Sequence, residues 1–316
     1  MKFIKAFSLL LFLFYIKSNV LSQKDVYIFA YFIGRGEDGL HLAYSFDGLQ
    51  WIAINNNQSI LRPAVGEEKL MRDPCIIKGG DGKYHMVWTT GWWNRYIGYA
   101  NSDDLINWSE QKLLEVMIHE PNAKNCWAPE IYYDKKKNQY LIYWSTTIPG
   151  RHKEVATSES EKGLNHRIYY AITKDFSTFT KSDIFFNPDF SVIDATILFY
   201  NKKYYMFIKN ENSNPPEKNI RFTTSNNLYG PYNTNVSRSI TGNYWAEGPT
   251  AIEINGFVYV YFDKYREKKY GAIRTKDFKE WEDVSHLLVM PVGIRHGSIL
   301  KIDKISLDKI INNFKN

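Results

Sequence analysis

The feature that most constrains this chain is a fivefold repeat. SFDGLQW (45–51), SDDLINW (102–108), TKDFSTF (173–179), SNNLYGPY (225–232) and TKDFKEW (275–281) share one frame. Each begins with Ser or Thr, carries Asp or Asn two residues on, and ends on an aromatic. The anchors are Asp47, Asp104, Asp175, Asn227 and Asp277, and each follows a short alternating run: LHLAY, IGYAN, IYYAI, IRFTT or YGAIR. Alternation followed by a side chain that bonds its own backbone two residues later reads as strand, Asx-type turn, strand. These anchors are structural, and no chemistry is expected of them.

A second set interleaves with the first. RDPCII (72–77), APEIYY (128–133), IDATIL (193–198), AEGPTAI (246–252) and RHGSIL (295–300) are short strands with a small residue or proline near the start. Aligned there, one pleat position holds Asp73, Ala128, Asp194, Glu247 and His296. The first four lead into aromatic-rich strands, KYHMVWTT, QYLIYWST, KYYMFIKN and FVYVYFD. Five four-stranded units predict an all-β fold, a five-bladed β-propeller. RHGSIL has no partners after it, while VYIFAYF, GLHLAYS and LQWIAI at the N-terminus lack an inner strand. Joining them gives a fifth blade closed by N- and C-terminal strands, with no long exposed sheet edge. SLDKIINNF, apolar at Leu307, Ile310, Ile311 and Phe314, predicts a short amphipathic helix. The insertion at 151–166 reads as a surface loop. No linker or composition shift marks a second domain, so residues 23–316 read as one.

Residues 1–22 have the charged, apolar, small-residue order of a secretory signal peptide, cleaved near Ser22–Gln23. The apolar run from Ala6 to Ile16 is shorter than the roughly 20 residues a membrane span needs. The expected location is secreted or periplasmic, with no membrane attachment after cleavage. Loss of three signal lysines lowers the net charge from +6 to about +3. The only basic triplet, Lys135 to Lys137, sits in a turn, so no nucleic-acid partner is expected. Two cysteines, Cys75 and Cys126, cannot staple a chain of this size, and buried free thiols are expected. Aromatics make up 16% of the residues, and nine tryptophans exceed what a core usually requires. Sugar-binding clefts use such a surplus, because aromatic faces stack on the apolar face of a pyranose or furanose.

In a propeller the innermost strands surround the axis, so the five aligned positions converge. Acids crowded together cannot all ionise freely, so at least one pKa should rise. One site can then hold a general acid and a general base near neutral pH. Glycoside hydrolysis is the reaction that needs this pair. Singly, an Asp-Pro or Glu-Gly-Pro step marks a turn; Asp73, Asp194 and Glu247 at one repeat position point to chemistry.

RDPCII, NCWAPEIYY, IDATIL, EGPTA and RHGSIL, in this order, resemble the five inner-strand motifs of glycoside hydrolase family 43. The resemblance runs from about residue 26 to about residue 302. It implies a five-bladed β-propeller and an inverting glycosidase, with Asp73 as general base, Asp194 as pKa-modulating acid and Glu247 as general acid. Blade two carries Glu130 where many members have Asp. No cofactor is required, but members often hold a metal ion or water near the blade-five His. His296 matches that position, which makes an axial Ca2+ a possibility. Arg72, Trp92, Trp127, Trp245, Arg295 and His296 are the candidate substrate-binding residues, with Trp93 beside them as a further wall. The substrate is expected to be an oligo- or polysaccharide, and the oligomeric state is left open. The chain ends about sixteen residues after RHGSIL, without the C-terminal β-sandwich of the larger β-xylosidases. That favours an α-L-arabinofuranosidase. A β-xylosidase or other exo-glycosidase is the alternative, and a non-catalytic carbohydrate-binding propeller is the reading of a different class.

Overall fold

The computed structural model describes residues 25–153, 163–212 and 215–315. The segment read as a signal peptide (1–22) and the middle of the 151–166 insertion lie outside the described residues. Among the described residues no helix is long and apolar enough to cross a membrane.

The chain opens with β1 (Val26–Ile33), β2 (His41–Ser45) and β3 (Ile52–Ala53). Blade one follows as β4 (Arg72–Lys78), β5 (Tyr84–Thr89), β6 (Ile97–Ser102) and β7 (Lys112–Leu114). Blade two is β8 (Trp127–Asp134), β9 (Gln139–Thr147), β10 (His166–Thr173) and β11 (Asp183–Phe186). Blade three is β12 (Val192–Tyr200), β13 (Lys203–Asn210) and β14 (Asn219–Ser225). Blade four is β15 (Glu247–Ile254), β16 (Phe257–Lys264), β17 (Lys269–Thr275) and β18 (Glu282–Asp283). The last strand, β19 (Ile294–Ile302), pairs with β1, so blade five has the order β19-β1-β2-β3. The inner strands β4, β8, β12, β15 and β19 each touch the next around the axis, and β19 touches β4. The ring is closed by the two ends of the described chain, as the unpartnered strands required.

Closure is antiparallel, from Val26 opposite Ile302 to Tyr31 opposite Gly297. A Cβ on Gly297 would lie 1.9 Å from the Ala30 carbonyl oxygen, so only glycine lets the strands approach there. The expectation of four strands per blade fails in blade three, where three are paired. The chain after β14 still runs alongside it: Ser237 and Ile240 donate to the carbonyls of Phe222 and Ile220 at 2.9 Å. In return, the N–H groups of Phe222 and Ile220 donate to the hydroxyls of Ser237 and Thr241, at 3.0 and 3.2 Å. Side chains stand in for backbone carbonyls, so the reciprocal ladder of a strand never forms.

The repeated turns form as read. Asp104 Oδ1 accepts the backbone N–H groups of Ile106 and Asn107, and Ser102 Oγ accepts those of Asp104 and Leu105. Asp47, Asp175 and Asp277 repeat the pattern, and Asn227 accepts from Tyr229. Between sheets the facing rows are apolar. Phe29 meets Trp51, Tyr261 and Tyr270 edge-on, with ring centroids 5.3, 6.1 and 5.5 Å apart, and this locks blade five to blade four. Trp51, Trp88 and Trp144 are buried, and Trp108 and Trp281 pack against core clusters, so five of the nine tryptophans serve packing. Cys75 and Cys126 are free and buried. The predicted helix is α1 (Lys304–Asn313), capped by Asp303, whose side chain accepts from the Ser306 N–H, and it buries Leu307 and Ile310.

Candidate active site

Each of the first four inner strands begins with a β-bulge, two residues against one on the second strand of its blade. The bulged pairs are Asp73–Pro74, Ala128–Pro129, Asp194–Ala195 and Gly248–Pro249. The first residue of each takes a positive φ: 52° at Asp73, 45° at Ala128, 54° at Asp194 and 60° at Gly248. Three of these are not glycine, which is uncommon, and such conformations gather at functional sites.

The bulges correct the sequence alignment. Gly248, not Glu247, stands level with Asp73 and Asp194, and Glu247 stands one residue earlier, level with Arg72, Trp127 and Ile193. In β19 the bulge falls at Arg295 and His296, opposite Phe32. A bulge re-aims consecutive side chains, so neighbouring positions of one strand reach the same space. A cavity of about 380 Å³ is lined by Arg72, Asp73, Trp127, Asp194, Glu247, Arg295 and His296, with Trp92 and Thr89 at its wall. Gly248 is needed in this packing, because a Cβ there would lie 2.2 Å from His296 Cγ.

The three acids have different surroundings. Asp73 Oδ2 accepts from the Thr89 hydroxyl at 2.8 Å, and Oδ1 lies 3.3 Å from His296 Nδ1. Burial pushes the Asp73 carboxyl up, but the bond and charge of His296, with Arg72 and Thr89, hold it down at about 2. His296 is the reciprocal case: burial works against its charge, yet Asp73 first, then Asp194 and Glu247, push it up to about 9. Asp194 accepts from the Gly248 N–H at 3.0 Å. Burial pushes it up to about 6, helped by Glu247 and Asp73 and opposed by His296 and Lys209. Glu247 lies between two cations, with Lys209 Nζ 3.1 Å from Oε2 and Arg295 Nη2 3.2 Å from Oε1.

Four participants escaped the sequence reading. Thr89, Ser145, Lys209 and Asp263 each lie on a second strand, directly opposite Arg72, Trp127, Ile193 and Glu247. Each reaches the next blade, three of them at its bulge and Lys209 at Glu247, the residue just before it. Thr89 Oγ1 accepts the Ala128 N–H at 2.8 Å, and Ser145 Oγ accepts the Asp194 N–H at 3.2 Å. Lys209 pairs with Glu247, and Asp263 accepts from Arg295 Nε. Burial and the Glu247 charge push Asp263 up to about 6 against the pull of Arg295. The one available signal was a charged residue ending an apolar strand, as in YYMFIKN and FVYVYFD.

The proposed sugar-binding residues divide. Arg72 lies over the Trp92 ring at 4.4 Å, and Trp127 donates to the Trp92 carbonyl at 2.8 Å, so these three form one wall. Trp93 packs on Trp127 at 5.5 Å and is half exposed. Trp245 is not among the cavity's lining residues; it stacks under Arg266 at 3.5 Å and beside Tyr265 at 6.0 Å. Glu130 is also outside the cavity lining. It accepts from Tyr143 at 2.8 Å, and burial pushes it up to about 7. The axis is a poor match for calcium, which takes six to eight oxygen ligands. His296 is held there as a cation by Asp73, and among the described residues no group of three or more His, Cys, Asp or Glu could hold a metal.

The profile of a family described as a probable glycosyl hydrolase domain, related to glycoside hydrolase family 43, matches residues 23–308. An α-L-arabinofuranosidase of Bifidobacterium longum subsp. longum is 30% identical over 176 residues, half of this chain but only 16% of that relative. The solved α-L-arabinofuranosidase of Lactobacillus brevis aligns with a TM-score of 0.52 at 17% identity, covering 68% of this chain and 72% of that one. The Bacteroides ovatus xyloglucan PUL GH43B structure aligns at 0.53 and 18%, covering 74% of this chain and 43% of that one. The two structural likenesses concern the fold. With the profile spanning nearly the whole described ring, the chain belongs to the glycosyl hydrolases related to glycoside hydrolase family 43.

Proposed function

We propose that this protein is a secreted, inverting α-L-arabinofuranosidase acting on the side chains of plant-type polysaccharides or on oligosaccharides. One observation carries the mechanism: a single cavity gathers Asp73, Asp194 and Glu247 and gives each a different electrostatic setting. Asp73, held anionic by His296 and oriented by Thr89, takes a proton from water as that water attacks the anomeric carbon. The bond to the leaving oxygen breaks, and Glu247 donates its proton to that oxygen. The hydroxyl arrives on the face opposite the leaving group, so the configuration inverts. Asp194, tied to the Gly248 N–H and near both other acids, modulates the protonation of the pair. Trp92 and Trp127 supply aromatic surface at the cavity wall. The choice of arabinose is supported by the Bifidobacterium relative, and export by the residue order of positions 1–22.

Hydrolysis of a panel of aryl glycosides tests the sugar and separates an enzyme from a silent sugar-binding propeller. Proton NMR of the first-formed sugar tests the stereochemistry, with the inverted anomer expected. Inversion needs the two carboxyls roughly 6.5–9.5 Å apart, against ~5–5.5 Å for retention. A trapped covalent glycosyl-enzyme would sink the inverting reading.

A further inference from the structure

The inter-blade link changes character at the general acid. In blades one and two the linking residue is a neutral hydroxyl that satisfies a backbone N–H, Thr89 to Ala128 and Ser145 to Asp194. At the same position blade three has Lys209, whose side chain is 2% exposed. A buried ammonium is costly to hold unless it is paired, and an N–H link does not need one. Lys209 Nζ lies 3.1 Å from Glu247 Oε2 but 2.7 Å from Glu211 Oε2, and Lys218 Nζ lies 2.7 Å from the other Glu211 oxygen. Arg295, on the far side of Glu247, is likewise shared with Asp263.

A general acid must carry a proton before it can give one, and two undivided cations on its oxygens would favour the carboxylate. Here each cation is divided with a second acid, Lys209 with Glu211 and Arg295 with Asp263. We infer that Lys209 and Glu211 set how readily Glu247 holds its proton, Lys209 as the cation and Glu211 as the competing anion that keeps Lys209 from fixing Glu247 as a carboxylate. Both are positioning residues, and the inference rests on Glu247 being the acid of the proposed reaction. The other groups that face this pair are Asp263 and Tyr265 from blade four, Arg295 and His296 from β19, Asp194 from β12, Asp73 from β4, His166 from β10 and Lys218 beside Glu211. Replacing either Lys209 or Glu211 leaves all of these in place.

The test is the carboxyl titration of Glu247 in the full chain, followed by NMR with ¹³C-labelled glutamate and assigned through Glu247→Gln. Lys209→Met should raise the midpoint and Glu211→Gln should lower it, each by about one pH unit, the low end of the effect of one adjacent charge. The basic limb of the kcat/KM profile on an aryl glycoside should move in the same two directions. Lys209→Arg, which keeps the charge, should return the midpoint toward wild type. A packing role alone gives lowered melting temperatures with an unmoved midpoint, or shifts of the same sign, and either result overturns the inference. Should Lys209→Met fail to fold, Glu211→Gln and Lys209→Arg decide the question. Opposed shifts in a protein that cleaves no glycoside would leave this pairing standing and remove the catalytic reading instead.

Discussion

At the Asx turns the repeat keeps its side chains, whereas at the first four inner-strand bulges it keeps only its backbone. Four of the five turns use an aspartate that accepts the same two backbone N–H groups, beside a Ser or Thr that accepts two more. There the side chain makes the fold, so it cannot vary freely. At the first bulged residue Asp73, Ala128, Asp194 and Gly248 share a φ between 45° and 60° with no common side chain. The strand ladders on either side already hold that backbone, so the side chain is released for other work. In this ring, sameness marks architecture and variation on a constant backbone marks chemistry.

The largest effects that could break this comparison lie at and just before the bulges. Asp73→Asn should lower kcat/KM by about 10²–10⁴-fold on every substrate, the usual worth of acid–base assistance, because all of them need an activated water. Glu247→Gln should lose as much on a natural disaccharide and far less on a dinitrophenyl glycoside, whose leaving group departs unprotonated. Equal dependence on leaving group in the two variants would mean that Glu247 is not the acid.

A second test is Gly248→Ala. The positive φ costs about 1–2 kcal/mol for a residue with a Cβ, yet Asp73, Ala128 and Asp194 bear it. The added cost comes from the Cβ against His296. Thermal unfolding should show a larger loss than φ alone explains, and His296→Ala should recover part of it in the double variant. Full additivity would show that the contact is harmless.

The His296–Asp73 pair gives a pH signature of intermediate size. With its pKa raised to about 9 in the fold, His296 contributes stability that is complete below the unfolded value of about 6.5. That stability is lost as pH rises through about 9. The melting temperature should fall across this window, and His296→Gln should flatten the fall. A profile identical in both proteins would separate the histidine from the pair. The smallest effect belongs to the turns: Asp104→Ala removes the side-chain acceptor of two backbone N–H groups, for a loss of about 1 kcal/mol each. Denaturant unfolding should detect it while kcat/KM stays within twofold of wild type; a kinetic defect would mean that the turns are not purely architectural.

The ring was legible because its signals are local: period-two alternation, Asx anchors and the odd strand left over at each end. Asp73, Asp194 and Glu247 were legible as acids at repeat starts, but their register was not. A bulge adds a residue without a mark in one-dimensional pattern, and the prolines at 74, 129 and 249 were the better ruler. Lys209 and Asp263 were hidden because they end strands whose apolar run reads as core, and their partners lie on the next blade. Blade three misled for a similar reason: the NTNVSRSIT segment offers hydroxyls where a ladder needs carbonyls.

The seam between β1 and β19 sets an order of assembly. Val26 finds its partner only when Ile302 has been synthesised, so during translation β1 waits with one edge unpaired while blades one to four are made. Contacts so distant in sequence are slow to form, and an unpaired edge recruits other chains. A chain stopped anywhere before β19 therefore carries a sticky strand at its beginning that a finished chain conceals. The seam thus reports that β19 has been made and paired.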